Sequence, residues 1–339
     1  MPHSTTPQWA LSASRLAVGY RQGKKAVAIM SGLNLTLEPG TVTALLGRNG
    51  AGKSTLLRAL TGAEKPIAGT VAIGGRDTAT MGSREMSRLV GLVSTERIAA
   101  GGLTVTELVE LGRQPHTGFL GRLSGHDRQV VAHAIASVGM EHKAQSHMAQ
   151  LSDGERQKAM IARAIAQETP IIVLDEPTAF LDVASRIRVM RLLHTLARSQ
   201  GKAVLLSSHD VAQSLLLADA LWVIADDRSM ACGRTEEVVM SGAMQHMFAD
   251  PEIVFSPDIC DFEATLPATA AVRLECPGTL LRSCVSGALL RSGIATTNGD
   301  NSSAQLLAVR SLSEIELNGA QQPSLKAAAE AILAASAHA

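Results

Sequence analysis

A chain of 339 residues has room for one large α/β domain and a smaller second one, each with its own core. Lys plus Arg and Asp plus Glu are 31 each and aromatics only 2%, so neither global attraction to nucleic acid or an acidic membrane surface nor a base-stacking platform is expected. Cys232, Cys260, Cys276 and Cys284 form no C-x-x-C pair and lie near no His cluster, which reads as structural thiols in a reducing compartment. The N-terminal residues lack the apolar run of a signal peptide, and no uncharged apolar stretch approaches the ~20 residues that span a bilayer. The sequence therefore predicts a cytosolic protein that needs a partner to hold it at any membrane.

From about Leu11 to Gly40 apolar and polar residues alternate until Glu38-Pro39-Gly40 breaks the pattern, predicting an antiparallel β-region that ends in a turn. Thr41 to Leu46 is a short apolar strand that runs into the glycine-rich stretch Gly47 to Gly52, and a helix follows over Lys53 to Leu60. The middle, about residues 97–168, is helical in pattern; within it Thr104 and Glu107 form a capping box, followed by apolar Leu108, Val109 and Leu111. Ile171 to Leu174 and Ala203 to Leu206 are apolar strands separated by a helical stretch, the alternation of a parallel sheet with crossover helices. Pro251, Pro257 and Pro267 mark a linker over 251–268. A strand at Ala270 to Glu275, a helix face of Leu281, Val285, Ala288 and Leu289, turn pairs Asn298-Gly299 and Asn318-Gly319, and a final helix from Ser324 to about Ala337 predict a small α+β domain over 269–339.

Gly47-Arg48-Asn49-Gly50-Ala51-Gly52-Lys53-Ser54-Thr55 matches G-x-x-x-x-G-K-[ST] between a strand and a helix. A phosphate chain needs close approach by backbone N–H groups, which Cβ atoms would block, and a helix N-terminus whose dipole favours negative charge. Gly47, Gly50 and Gly52 meet the first need and the helix opening at Lys53 the second. Lys53 adds a point charge at the β and γ phosphates, and Ser54 offers its hydroxyl to Mg²⁺. Asp175 and Glu176 end the apolar run Ile171 to Leu174, on the side of an open α/β sheet that faces ligand. By itself an Asp-Glu pair after a strand is usually a solvated loop. Beside a P-loop, Asp175 reads as the holder of Mg²⁺ through its water shell and Glu176 as the group that polarises a water for attack on the γ-phosphate. Leu151-Ser152-Asp153-Gly154-Glu155 opens a further helix, where Ser152 and Gly154 can present a hydroxyl and an unobstructed N–H to an anion, although an ordinary N-cap has the same form.

The order of P-loop, helical insert, LSDGE, strand with Asp-Glu, Phe180-Leu181-Asp182 and a strand ending at His209 resembles the nucleotide-binding cassette of ABC proteins over about Leu11 to Phe248. The resemblance implies an α/β, P-loop NTPase (RecA-like) cassette over residues 10–250, with antiparallel β and helical subdomains. It also implies an ATPase using ATP and Mg²⁺ that works as a head-to-tail homodimer. Each ATP would lie between the P-loop of one copy and the signature residues Ser152, Asp153, Gly154 and Glu155 of the other. On the same resemblance Tyr20 takes the place of the ring stacked on adenine, with a core tyrosine as the alternative. Asp182 matches the loop that crosses the dimer interface, and His209 the switch histidine that contacts the γ-phosphate and orients Glu176.

Two positions depart from the family. The signature is commonly LSGGQ, so Asp153 and Glu155 are substitutions whose carboxylates repel a triphosphate unless Arg156 or Lys158 offsets them. Where the family has a Gln that helps ligate Mg²⁺ and relays the site to the membrane subunits, this chain has Thr95 followed by Glu96, so either Glu96 substitutes for it or the coupling differs. Leu103 to Val109 and Gly112 to His116 are similar to the region of siderophore, haem and cobalamin importers that meets the permease. That similarity implies transmembrane permease subunits as partners, a periplasmic substrate-binding protein indirectly, a place at the cytoplasmic face of the membrane, and no nucleic acid. An ABC ATPase of DNA repair would carry coiled coils or zinc-binding cysteine pairs, and a translation-associated one two cassettes; export or another cargo is the remaining alternative. The tail after about Thr265 holds no catalytic constellation and reads as packing or dimer bracing.

Overall fold

The computed structural model describes residues 10–22, 25–94, 102–118, 121–179, 181–257, 259–297 and 305–337. They form two compact units: the described residues up to Ala249 with Phe255–Phe262, and Asp250–Val254 with those from Glu263 on.

In the first unit, β1 (Leu11–Gln22) pairs antiparallel with β2 (Lys25–Leu37), Leu11 opposite Leu37 and Tyr20 opposite Val27. Leu33, Leu35 and Leu37 are buried while Asn34 and Thr36 are exposed, the period-two pattern of a half-covered sheet. β3 (Val42–Leu46) opens the main sheet and α1 (Lys53–Leu60) follows the glycine-rich turn. β4 (Ala68–Ile73) and β5 (Arg76–Asp77) complete the antiparallel sheet in the order β2-β1-β4-β5. α2 (Ser83–Leu89) leads to β6 (Val90–Val93), and α3 (Val105–Glu110), α4 (Gly125–Ser137) and α5 (Asp153–Ala166) form the helical part. The chain returns through β7 (Ile171–Leu174), α6 (Val183–Gln200), β8 (Ala203–Ser208), α7 (Val211–Leu217), β9 (Ala220–Ile224), β10 (Met230–Arg234) and α8 (Thr235–Met240).

The six main strands lie in the order β10-β9-β3-β8-β7-β6, parallel except for edge strand β10. Every residue of β3, β7 and β8 is buried, as a parallel sheet covered on both faces requires. Leu45, Val173 and Leu205 join one apolar cluster with Leu56, Leu57 and Leu60 of α1; their neighbours Leu46, Leu174 and Leu206 join another with α3 and α5. Alternate residues of one strand thus serve different cores. β3 sits between β8 and β9, so the chain builds on one side of β3 and then crosses to the other. The crevice at the C-terminal end of β3 is the topological switch point, where doubly wound sheets bind ligands.

Each helix of the helical part starts on a capping box: Thr104 with Glu107, as the sequence predicts, Ser124 with Asp127, and Ser152 with Glu155. Arg113, 3% exposed, binds these helices together. Its Nε donates to Asp127 Oδ1 at 2.8 Å and its Nη1 to Glu168 Oε2 and the Ala166 carbonyl, both at 2.7 Å. Hydrogen bonds from Ser124, then Arg113, hold the Asp127 carboxyl well below the usual carboxylate range. Arg113→Ala is expected to lower the unfolding free energy of this unit by about 3 kcal/mol, because Asp127 is left as an unpaired buried charge. Urea denaturation followed by tryptophan fluorescence measures it, and a loss below about 1 kcal/mol would mean that water replaces the guanidinium.

Residues 251–268 depart from the linker expected from sequence. β11 (Ile253–Ser256) and β12 (Asp261–Ala264) form a two-stranded sheet, and Pro251, Pro257 and Pro267 flank the strands rather than interrupt them. Phe255 is buried in the core of the first unit; Phe262 packs edge-on against Phe255 at 5.5 Å and against Phe248 at 4.7 Å.

The second unit contains β13 (Ala270–Glu275), α9 (Thr279–Arg291), β14 (Ile294–Thr297), β15 (Gln305–Ser311), β16 (Glu314–Leu317), β17 (Ala320–Gln322) and α10 (Leu325–Ser336). Its sheet runs β14-β13-β15-β16-β17 around its own core of Val272, Leu289, Leu307, Val309 and Ile332. Asn318 and Gly319, at φ 52 and 82, make the tight β16–β17 turn that an Asn-Gly pair favours. The other such pair, Asn298-Gly299, lies outside the described residues.

Candidate active site

The glycine-rich turn joins β3 to α1 at the switch point. Gly50 and Gly52 take φ 80 and 103, and a Cβ on Gly52 would also stand 3.0 Å from Ile29 Cγ2 and 3.1 Å from Met30 Cε. Only glycine meets both conditions. Lys53 opens α1 with 6% exposure, its Nζ donating to the carbonyls of Gly47 at 2.8 Å and Arg48 at 3.2 Å. Burial pushes the Lys53 pKa below the ordinary lysine value, against the attraction of Glu176 and Asp175. A buried ammonium whose hydrogen bonds go to two neutral carbonyls, with Glu176 at 3.9 Å, gains from an arriving polyphosphate. Ser54 is exposed and Thr55 half-buried in the same first turn. The Arg48 side chain turns elsewhere, pairing with Asp226 and lying over the Phe248 ring at 5.9 Å.

At the end of β7, Asp175 is buried and its N–H donates to Val93 O at 2.8 Å. Ser207 of β8 donates to Asp175 Oδ1 at 2.6 Å and accepts the Glu176 N–H at 2.8 Å. Glu176 sits at φ 48, the left-handed region, which costs a residue with a Cβ of order 1 kcal/mol and is sustained here by its neighbours. Its Oε1 lies 3.9 Å from Lys53 Nζ and its Oε2 3.7 Å from His209 Nδ1. Lys53, Glu176 and His209 thus meet at one place. Ser207 was given no role by sequence reasoning; the available signal was the serine pair Ser207-Ser208 that ends an otherwise apolar strand just before His209.

Tyr20 is not a core residue: it is 50% exposed. It stands on β1 opposite Val27, two residues along β2 from Ile29, the neighbour of Gly52, and so at the margin of the phosphate turn. Asp182 caps α6, Oδ1 accepting the Ser185 N–H at 2.6 Å, and that bond holds its pKa down. Thr95, Glu96 and Phe180 lie outside the described residues.

Ser152 caps α5. Its Oγ accepts the Glu155 N–H at 3.3 Å and donates to Glu155 Oε2 at 3.1 Å. Asp153 is paired with Arg156 at 2.8 Å, one of the two cations sequence suggested as a charge offset. Glu155 is met by Lys143 at 2.7 Å rather than by Lys158, a partner that no local spacing reveals. Among the described residues, no hydrogen bond or ion pair joins Ser152, Asp153, Gly154 or Glu155 to the Lys53 cluster. Ser54 and Asp175 offer hard oxygen donors, and among the described residues no three His, Cys, Asp or Glu side chains form a metal-holding group. That donor set suits Mg²⁺, which keeps several waters and takes phosphate oxygens in place of a protein cage.

The family model described as ABC transporter matches residues 30–179. The iron(3+)-hydroxamate import ATP-binding protein of Bacillus subtilis is 33% identical, over 73% of this chain and 91% of its own length. The ferric enterobactin transport ATP-binding protein of Escherichia coli is 34% identical, over 77% of this chain and 97% of its own. Among solved structures, a dimeric ATP-binding cassette in a post-hydrolysis state with ADP and Pi superposes with a TM-score of 0.60 at 27% identity, covering 66% of this chain and 98% of that one. Since the match extends over nearly the whole length of such relatives, this chain belongs to the ABC transporter family, as an ATP-binding subunit that hydrolyses ATP.

Proposed function

We propose that two copies of this cassette meet head to tail, each ATP held between the P-loop of one and the signature of the other. Their hydrolysis drives uptake of an iron-siderophore, haem or cobalamin-type cargo through a partner permease. The observation that carries the catalytic assignment is Glu176 between Lys53 and His209, within 3.9 Å and 3.7 Å. Backbone N–H groups of residues 47–55 and the Lys53 ammonium hold the β and γ phosphates, and Tyr20 stacks on the adenine. Glu176 polarises the attacking water; His209 orients that carboxylate and reaches the γ-phosphate. Ser54 and Asp175, with Glu96 as a further donor, would hold Mg²⁺, which neutralises charge on the phosphate oxygens when bound. Asp182 faces the partner copy across the interface.

Support for the cargo class comes from the names of the two relatives and from the similarity of residues 103–116 to the permease-facing region of such importers. The end of that segment is firmly held. His116 Nε2 lies 2.8 Å from Gln167 O, and Arg84 and Arg88 of α2 donate to the carbonyls of Thr117 and Pro115 at 2.7 and 2.9 Å. No helix among the described residues is long and apolar enough to cross a membrane. In this reading the subunit sits at the cytoplasmic face through its permease, with a periplasmic substrate-binding protein delivering cargo from the other side. Export or another cargo is the competing reading. Uptake of labelled ferric siderophore, haem and cobalamin by cells lacking the gene, complemented with wild type or Glu176→Gln, separates the two. Loss of one uptake, restored by wild type alone, is expected; if all three are unaffected, the importer assignment falls while the ATPase stands.

A further inference from the structure

Glu155 places a carboxylate at the N-terminus of α5, beside Ser152. Lys143 and then the Ser152 N–H hold its pKa down to about 2, so it is an anion at any physiological pH. Left alone, such an anion would oppose a triphosphate. Lys143 is not a loose surface lysine. It ends a short turn, 141–143, and the residues after it are fastened to the start of α3: Ala144 O accepts the Thr106 N–H at 2.9 Å, Ser146 O the Val105 N–H at 3.1 Å, and Met148 N–H donates to Leu103 O at 2.8 Å. Arg156 pins the far end of the same stretch, donating to Met148 O at 3.0 Å and Ala149 O at 3.3 Å. Lys143 reaches Glu155 from this frame and takes Oε1, while Ser152 takes Oε2.

We propose that Lys143 is a positioning residue for the ATP sandwich: from Oε1 it offsets the Glu155 charge while Ser152 stays bonded to Oε2, so that the α5 N-terminus can accept the γ-phosphate bound by the other copy. This rests on the reading of residues 152–155 as the half-site contributed to the partner's ATP. Lys143 touches no reacting atom, so its loss raises the ATP concentration needed for closure and leaves the chemical step alone. It also acts only through Glu155, so removing the Glu155 charge removes the need for it.

A double-mutant cycle tests this on the full chain, using Lys143→Met, Glu155→Gln and the double variant, with ATP KM, kcat and ATP-driven dimerisation in a Glu176→Gln background as readouts. Lys143→Met is expected to raise KM about fivefold, in the range of partly exposed charge pairs, and to weaken the two-site dimer by about the square of that factor. kcat at saturating ATP changes less than about twofold, and Lys143→Arg restores KM. In the Glu155→Gln background, Lys143→Met is expected to change KM by less than about twofold relative to Glu155→Gln alone. Equal losses in both backgrounds, or no loss in either, overturn the proposal; equal losses with a lowered melting temperature identify Lys143 as a purely structural brace. Ser152→Ala is the separate control: undiminished hydrolysis there sinks the signature reading itself, whatever Lys143 does.

Discussion

Glu176→Gln is expected to cut ATP turnover about a thousandfold, roughly 4 kcal/mol of barrier, while leaving nucleotide binding in place. The amide keeps the shape of the carboxylate between Lys53 and His209 but cannot take up or direct a proton from water. Asp175 cannot substitute, because it is buried and engaged by Ser207 at 2.6 Å. With the chemical step blocked, ATP-bound dimers accumulate. Size-exclusion chromatography with ATP and Mg²⁺ should show the dimer mass, and the same sample with ADP the monomer. Activity above about a tenth of wild type would reject Glu176 as the polarising group, since loss of a general base costs at least about a hundredfold.

Lys53→Ala is expected to fail one step earlier, raising the Kd for ATP at least about a hundredfold, or ~2.7 kcal/mol. Its ammonium is a charged group held inside the phosphate turn, hydrogen-bonded to the carbonyls of Gly47 and Arg48 and 3.9 Å from Glu176. Because burial already disfavours that ammonium, removing it changes the stability of the nucleotide-free protein by about 1 kcal/mol or less. The signature of the variant is therefore an unchanged melting temperature without ATP and no shift on adding it. A retained ATP shift would move the burden of phosphate binding to the backbone N–H groups alone. The two variants dissect one site: binding survives in the first and is lost in the second.

Much of this was legible in the amino-acid sequence, for a physical reason. The phosphate turn, the Asp175-Glu176 strand end, the three all-buried strands and the capping boxes depend on residues within one or two turns of each other, so local spacing encodes them. Tyr20 and the β11–β12 pair were less legible. A single tyrosine on a strand does not disclose whether its ring is covered, and prolines that bound strands look like prolines that mark a linker.

By itself, then, the sequence determined the fold class, the phosphate turn, the carboxylate pair and the helix that opens at Ser152, each a local pattern with a local cause. Only the tertiary structure decided what those groups touch. It set Glu176 between Lys53 and His209, joined Ser207 to Asp175 and Arg113 to Ala166 across 32 and 53 residues of chain, and turned Arg48 toward Asp226 across 178. It also gave Glu155 to Lys143. A charged side chain finds its partner by the packing of whole elements, and residue spacing along the chain carries no record of that packing.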